Sequence, residues 1–66
     1  MKITVNGDEI EIKDSATVED LIIHLSLTEK RLAVEVNQNI ISKSRHSETL
    51  LSANDTIEII HAIGGG

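Results

Sequence analysis

The stretch of sequence that decides the fold is residues 2–13, which read Lys-Ile-Thr-Val-Asn-Gly-Asp-Glu-Ile-Glu-Ile-Lys. Apolar and polar residues alternate on both sides of Asn6-Gly7, and this alternation is typical of two strands that bury one face. An Asn-Gly pair favours a two-residue hairpin loop, because both residues tolerate the positive φ angles of a type I′ turn. The sequence therefore predicts an antiparallel hairpin with strands at residues 2–6 and 9–13.

The periodicity changes after the hairpin. Apolar residues now recur at positions i, i+3, i+4 and i+7, on one face of a helix, and they are Val18, Leu21, Ile22 and Leu25. Thr17 is a suitable N-cap, and Asp20 three residues later can complete a capping box. These features predict a helix at residues 18–26.

The second half of the chain returns to strand patterns. Residues 32–37 alternate, and a turn at residues 37–39 leads into the apolar pair Ile40-Ile41, which predicts a short strand. The polar residues 42–49 show no period and predict a loop. Residues 56–62, Thr-Ile-Glu-Ile-Ile-His-Ala, are rich in β-branched side chains and predict a last strand in the centre of the sheet.

This order of elements predicts an α+β domain with the β-grasp, ubiquitin-like architecture. One main helix would pack across a mixed sheet of four to five strands. The predicted core consists of Ile3, Val5, Ile10, Ile12, Val18, Leu21, Ile22, Leu25, Leu32, Val34, Val36, Ile57 and Ile59. Residues 1–63 are predicted to form this single domain, and residues 64–66 a flexible glycine tail.

Composition excludes several function classes. A chain of 66 residues is too short for an enzyme with a cleft between two lobes. Six Lys and Arg against eleven Asp and Glu give a net charge of −5, which repels nucleic acid and anionic membranes. Cysteine is absent, so no disulfide or thiolate metal site is expected. No stretch resembles a membrane span or a signal-peptide core, so a cytoplasmic location is predicted.

Three of the four glycines close the sequence, as Gly64, Gly65 and Gly66. A glycine run adds nothing to a core and has the most backbone freedom to lose on folding. It does provide a segment without side chains that ends in the carboxylate of Gly66. Such a segment can enter a passage too narrow for a Cβ, so the tail predicts a reacting chain end.

A partner interface is predicted beside the tail. Glu58, Ile60 and Ala62 alternate with the core residues of the last strand, and Ile63 follows them. Together they leave an apolar strip that leads toward the glycines. Exposed apolar strips mark docking surfaces, so these four residues are expected to contact a partner.

The remaining candidate residues predict no metal site. The spacings of His24, His46 and His61 match no ligand pattern, although His61 lies close enough to the tail to help position it in a partner. Lys43 and Arg45 form a small basic spot in the polar loop, which is either solvated or a partner contact.

Taken together, these segments resemble the ThiS sulfur-carrier family and, more broadly, the ubiquitin-like carriers that include the small subunit of molybdopterin synthase. The segments that carry the resemblance are Asn6-Gly7, Thr17-Val18-Glu19-Asp20-Leu21, Ala33-Val34-Glu35-Val36-Asn37, Ile40-Ile41, Asp55-Thr56-Ile57-Glu58-Ile59-Ile60 and Gly64-Gly65-Gly66. Members often carry Asp-Gly-Asp where this chain has Ala53-Asn54-Asp55. Asparagine also tolerates a left-handed conformation, so the turn is expected to be kept.

The resemblance implies a carrier and not an enzyme. An E1-like (ThiF-like) adenylating enzyme would activate the Gly66 carboxylate with ATP and magnesium, and a sulfur donor would convert the adenylate to a thiocarboxylate. A thiazole synthase (ThiG-like) would then take the sulfur for the thiazole ring of thiamine. The chain itself would bind no cofactor. A molybdopterin-synthase-type carrier, a ubiquitin-like protein modifier and a non-covalent β-grasp binding module stay open as alternatives.

Overall fold

The structure is a computed structural model and describes residues 1–28 and 31–61. In chain order its elements are β1 (Lys2–Val5), β2 (Asp8–Glu11), α1 (Val18–His24), β3 (Leu32–Val36), β4 (Asn39–Ile41), a 3₁₀ helix (Lys43–Arg45) and β5 (Thr56–His61). The strands form one sheet in the order β2-β1-β5-β3-β4. Only the β1–β5 pair is parallel among these strands. The predicted β-grasp fold, a mixed sheet with one main helix, is confirmed.

Strand β5 lies in the centre of the sheet, as its β-branched composition predicts. It pairs with β1 on one side, where the register ends at Val5 opposite Ile57. On its other side it pairs with β3 as far as Leu32 opposite His61. The last residues of β5 therefore extend beyond the end of β1. Ala62, the last residue of the predicted strand, lies outside the described residues.

Both hairpins use two-residue turns with positive φ angles. Asn6 and Gly7 have φ angles of 49° and 87°, and Asn37 and Gln38 have angles of 50° and 72°. The predicted strands at residues 2–6 and 9–13 were therefore displaced, because Asn6 already belongs to the turn and Asp8 pairs directly with Val5. In the same way, β3 ends at Val36 and the turn consists of Asn37 and Gln38 alone. Asn39, which was predicted to belong to the turn, is the first residue of β4 and pairs with Val36.

The helix begins with the predicted capping box between Thr17 and Asp20. Its predicted end at residue 26 was wrong: α1 stops at His24, because Leu25 is the C-cap and Ser26 adopts a left-handed φ of 60°. Across residues 1–28 and 31–61, no helix has the length and apolarity that a membrane crossing requires. The predicted loop at residues 42–49 contains the 3₁₀ helix.

The core lies between α1 and the inner face of the sheet. Its buried residues are Ile3, Val5, Ile12, Ala16, Val18, Leu21, Ile22, Val34, Val36, Leu51, Ile57 and Ile59. The predicted core residues Ile10, Leu25 and Leu32 are only partly buried, because each lies on an edge strand or at the end of an element. Ala16 and Leu51 were not predicted, and the Leu51 N–H donates to the Ala16 carbonyl at 2.8 Å.

Candidate functional site

The candidate site is the end of β5, from which the chain continues into residues 62–66. The predicted tail Gly64, Gly65 and Gly66, and the interface residues Ala62 and Ile63, lie outside the described residues. The described part of the site consists of β5 and the strands beside it.

The outer face of β5 presents the two predicted interface residues that the structure describes. Ile57 and Ile59 are buried in the core, whereas Glu58 is exposed and Ile60 has 48% of its surface accessible. This alternation places Glu58 and Ile60 on the side of the sheet away from α1, as predicted. His61 falls on the same side of the strand as the buried isoleucines and is exposed at the end of β5.

Neighbouring strands enlarge this face. Glu35 on β3 lies opposite Glu58, and Ala33 lies opposite Ile60. Ile40 on the edge strand β4 lies opposite Glu35 and is 74% exposed. These five residues, Ala33, Glu35, Ile40, Glu58 and Ile60, form what we call the outer sheet surface. Sequence reasoning missed its β3 and β4 members, because their register against β5 cannot be read from alternation alone.

The charges of the outer sheet surface are unbalanced. Like charges directly opposite each other across a strand pair are unfavourable, and Glu35 faces Glu58 in this way. Within the part of the chain that the structure describes, no ion pair joins either carboxylate to a cation. A basic group from a partner would relieve this repulsion while Ile60 and Ile40 supplied apolar contact. The surface is suited to a partner with a basic and apolar face.

Asn6 holds β5 where β1 ends. The Oδ1 atom of Asn6 accepts a hydrogen bond from the Ile59 N–H at 2.8 Å, and its Nδ2 donates to the Ile59 carbonyl at 3.3 Å. The carboxamide therefore takes the place of a strand residue and continues the pairing past Val5. The end of β5 is fixed on both sides, by β3 and by Asn6. Sequence reasoning identified Asn6 only as a turn residue.

The three histidines lie on separate elements. His24 is in the last turn of α1, His46 follows the 3₁₀ helix, and His61 ends β5. The Nε2 atom of His46 lies 3.1 Å from the Ile41 carbonyl oxygen. Among residues 1–28 and 31–61, no three His, Asp or Glu side chains are grouped to hold a metal ion.

An open cavity on another part of the molecule lies away from this site. It measures about 530 Å³ and is lined by Glu11, Ile12, Lys13, Asp20, Ile23 and His24. The Asp20 carboxylate there accepts a hydrogen bond from the Thr17 N–H at 2.9 Å, which is the main reason that its pKa is lowered. Lys13 Nζ lies 3.8 Å from the same carboxylate. Asp20 therefore serves as a helix cap in this cavity.

Comparison with known proteins identifies the family. The family model of the ThiS family matches residues 2–66. This chain therefore belongs to the ThiS family. The matched range includes the closing glycines, so the predicted resemblance is confirmed over the whole domain and the tail.

Individual relatives agree with this assignment. The sulfur carrier protein ThiS of Bacillus subtilis is 41% identical over 63 residues, which cover 94% of this chain and 96% of that protein. A crystal structure of the thiamine biosynthesis protein ThiS from Geobacter metallireducens superposes with a TM-score of 0.86 at 26% identity and covers 100% of both chains.

A third relative places a similar region inside a longer protein. The thiazole synthase of Paramagnetospirillum magneticum is 38% identical to this chain over 66 residues, and this match covers 100% of the chain but 20% of that protein. This chain therefore spans about a fifth of the length of that thiazole synthase. A region similar to this chain and the rest of a thiazole synthase therefore occur there in one polypeptide.

Proposed function

We propose that this member of the ThiS family is the sulfur carrier of thiamine biosynthesis and that the Gly66 carboxylate bears the sulfur. The observation that carries the proposal is the family match over residues 2–66, which includes Gly64, Gly65 and Gly66. The relative with 41% identity is itself named a sulfur carrier. The chain acts as a co-substrate of other enzymes, and its location in the cytoplasm stays a prediction.

The chemistry requires activation, because a carboxylate resists attack until one of its oxygens becomes a good leaving group. An E1-like (ThiF-like) adenylating enzyme lets the Gly66 carboxylate attack the α-phosphorus of ATP, with release of pyrophosphate. A donor of sulfide-level sulfur then attacks the carbonyl carbon of the adenylate, so that a C–S bond forms, the C–O bond to the phosphate breaks, AMP leaves and a thiocarboxylate results. The thiazole synthase (ThiG-like) consumes this sulfur. ATP and magnesium bind to the adenylating enzyme, and the carrier contributes no cofactor.

The carrier contributes a fixed starting point for the tail. β3 and the Asn6 carboxamide both hold Ile59, two residues before His61, the last described residue. The strand to which the tail is attached therefore does not have to be ordered when the carboxylate enters an active site. Restricting the search of a reacting group in this way lowers the entropic cost of reaction.

The outer sheet surface docks the adenylating enzyme. Glu58 and Ile60 are its members on β5, and the other two predicted interface residues, Ala62 and Ile63, lie outside the described residues. The proposal is supported by the exposed isoleucines and by the Glu35–Glu58 pair, which favours a basic surface on the enzyme. Electrostatic complementarity of this kind chiefly raises association rates and specificity.

Intact-mass spectrometry tests the function. The full chain is incubated with a purified ThiF-like enzyme, ATP, magnesium and a sulfur donor, and one oxygen of the terminal carboxylate should be replaced by sulfur. A reaction without ATP and a chain that lacks Gly65 and Gly66 are the controls. If the chain stays unmodified while the same enzyme converts the Bacillus subtilis carrier, the proposal is wrong.

A second step distinguishes the alternatives. Purified thiazole synthase should take the sulfur from the thiocarboxylate into a thiazole product. A thiocarboxylate that thiazole synthase rejects and a molybdopterin synthase accepts would assign the chain to the other pathway. Lysine-linked conjugates in a lysate would instead indicate a protein modifier.

A further inference from the structure

A second surface, on the α1 side of the sheet, combines an apolar pocket with positive charge. Two adjoining cavities of about 190 Å³ and 200 Å³ both contact Ile22, Thr28, Lys43 and His46. The first is also lined by Leu27, Arg31 and Leu32. We call these seven residues the basic pocket. It lies where the end of α1, the start of β3 and the 3₁₀ helix meet.

The floor of the basic pocket is apolar. Ile22 belongs to the buried core, and Leu27 and Leu32 are partly buried against it. Their accessible surface is open to the cavity instead of being covered by another element of the described chain. An aliphatic side chain from outside would therefore gain apolar contact by entering here.

The rim of the basic pocket is cationic. Arg31 and Lys43 are exposed, and they are two of only six Lys and Arg in a chain with a net charge of −5. Glu19 lines the second cavity with Lys43. Of the carboxylates in residues 1–28 and 31–61, none comes within 4.0 Å of Arg31 or Lys43. These two cations face the cavity as donors for an incoming carboxylate.

His46 is held in position at the same rim. Its Nε2 can donate to the Ile41 carbonyl at 3.1 Å, and its own carbonyl accepts the Glu19 N–H at 3.0 Å. When Nε2 donates in this way, Nδ1 is left for a further hydrogen bond. The half-buried ring is thus a fixed polar group beside two exposed cations.

We propose that the basic pocket docks a segment of a partner protein that presents a carboxylate beside an aliphatic side chain. Charge complementarity and the apolar floor argue for this occupant. A free phosphate would satisfy Arg31 and Lys43 but would make no use of Leu27 and Leu32, whereas a peptide segment uses both. The proposal rests on the proposed function in one respect, because the partner is the thiazole synthase, the adenylating enzyme being assigned to the outer sheet surface.

The basic pocket and the outer sheet surface suit different partners. The pocket includes Ile22 of α1 and Leu32, whose side chain lies on the core side of β3, whereas the outer sheet surface is on the opposite side of the sheet. One surface is basic and the other acidic. A partner that docks on one of them leaves the other accessible, so the adenylating enzyme and the thiazole synthase need not compete for the same contacts.

Charge reversal tests the proposal. The dissociation constants of the full-length carrier for purified thiazole synthase and for the adenylating enzyme are measured at one ionic strength with Lys43→Glu, with Arg31→Glu and with the matched control Arg45→Glu. Arg45 belongs to the same 3₁₀ helix but lines a different cavity, with Ile40, Ile41, Ser42 and Thr49. We expect Lys43→Glu and Arg31→Glu to weaken binding to thiazole synthase by about tenfold and Arg45→Glu by less than about twofold. Thermal melting verifies that each variant is folded.

Two outcomes would overturn the proposal. Equal weakening by Lys43→Glu and Arg45→Glu would mean that only the net charge matters. Unchanged binding of Lys43→Glu to thiazole synthase would show that the pocket does not dock this enzyme, and shifts of the Thr28 and His46 amide signals on addition of inorganic phosphate would then assign the pocket to a small anion. Neither outcome depends on thiocarboxylate formation, so failure of the proposed function is recognised separately in the mass spectrum.

Discussion

At the scale of single residues, Asn6 has two structural roles that depend on one conformation. Its φ of 49° is required by the hairpin turn. The same conformation directs its carboxamide to the backbone of Ile59, 53 residues away along the chain. A residue that the sequence marks as a turn thus also fixes the strand from which the tail departs.

The substitution Asn6→Gly separates these two roles, because glycine keeps the positive φ but has no carboxamide. We expect the free energy of unfolding to fall by about 1 kcal/mol, the net value of a typical hydrogen bond, and the Ile59 amide to exchange faster with solvent. Hydrogen exchange followed by NMR measures both.

Asn37→Gly is the matched control. Asn37 also has a positive φ, but its Oδ1 accepts the Thr56 N–H at 3.0 Å, at the opposite end of β5. This variant should accelerate exchange at Thr56 and leave Ile59 unchanged. If Ile59 is equally protected in all three proteins, the carboxamide does not hold β5.

At the scale of elements, α1 has only seven residues and depends on its cap. Isolated helices of this length are not stable in water, so capping and packing must hold it. Thr17 Oγ1 accepts the Asp20 N–H at 3.1 Å, and the Asp20 carboxylate accepts the Thr17 N–H at 2.9 Å. Both bonds of the capping box are present.

Loss of the cap should therefore be measurable by chemical denaturation. Thr17→Ala removes the Oγ1 acceptor and should lower the free energy of unfolding by about 1 kcal/mol. Thr17→Ser keeps the hydroxyl and should cost clearly less. If both substitutions lower the free energy of unfolding equally, the methyl group of Thr17, and not the cap, stabilises this site.

The capping box also predicts a pH dependence. The Thr17 N–H holds the pKa of Asp20 below its ordinary value, against an opposing effect of desolvation. The pKa of Asp20 is therefore lower in the folded protein than in the unfolded chain, where it is about 3.9. The ionised carboxylate stabilises the fold at pH values above this unfolded pKa. This stabilisation is lost as the pH falls through the pKa of the folded protein. On acidification from about pH 5 to about pH 2, the free energy of unfolding should fall further in the unsubstituted protein than in the Asp20→Asn variant. Parallel stability curves would contradict this.

The outer sheet surface makes a prediction for β5. Ile60→Asp places a charge beside Glu58 on an exposed face, so we expect about tenfold weaker binding to the adenylating enzyme and a stability loss of no more than about 1 kcal/mol. Ile23→Asp is the control, because Ile23 is 56% exposed on α1. Binding and stability that fall together in Ile60→Asp would mean that Ile60 contributes to the fold instead of to docking.

At the scale of the whole molecule, the folded body and the tail have separate tasks. Among residues 1–28 and 31–61, the twelve buried core residues extend from Ile3 to Ile59. Because glycine has no side chain to bury, deletion of Gly65 and Gly66 should leave the free energy of unfolding within about 0.5 kcal/mol. The same deletion should abolish thiocarboxylate formation in the mass spectrum. A truncated chain that no longer melts cooperatively would show that the tail is part of the fold.

The features that could be predicted from the sequence are those set by residues only a few positions apart in the chain. Asn6-Gly7 and the Thr17–Asp20 pair act over a few residues, so turn and cap were predicted correctly. Leu51 has no periodic neighbours, so its burial beside Ala16 could not be predicted. Glu58 and Ile60 were predicted on the outer face by alternation, whereas Ile40 joined them only through the strand register.

The sequence by itself determined the strands, the helix start, the family and the glycine ending. The reason is that strand alternation, the capping pair and the sequence motifs each depend only on residues that are close together in the chain. Only the tertiary structure decided which distant residues meet. It joined the Asn6 carboxamide to Ile59, set Glu35 against Glu58, and brought Arg31 and Lys43 to one pocket. The physical reason is that strand register and side-chain packing are set by the whole sheet and the whole core. Each long-range contact therefore depends on the other contacts that form with it.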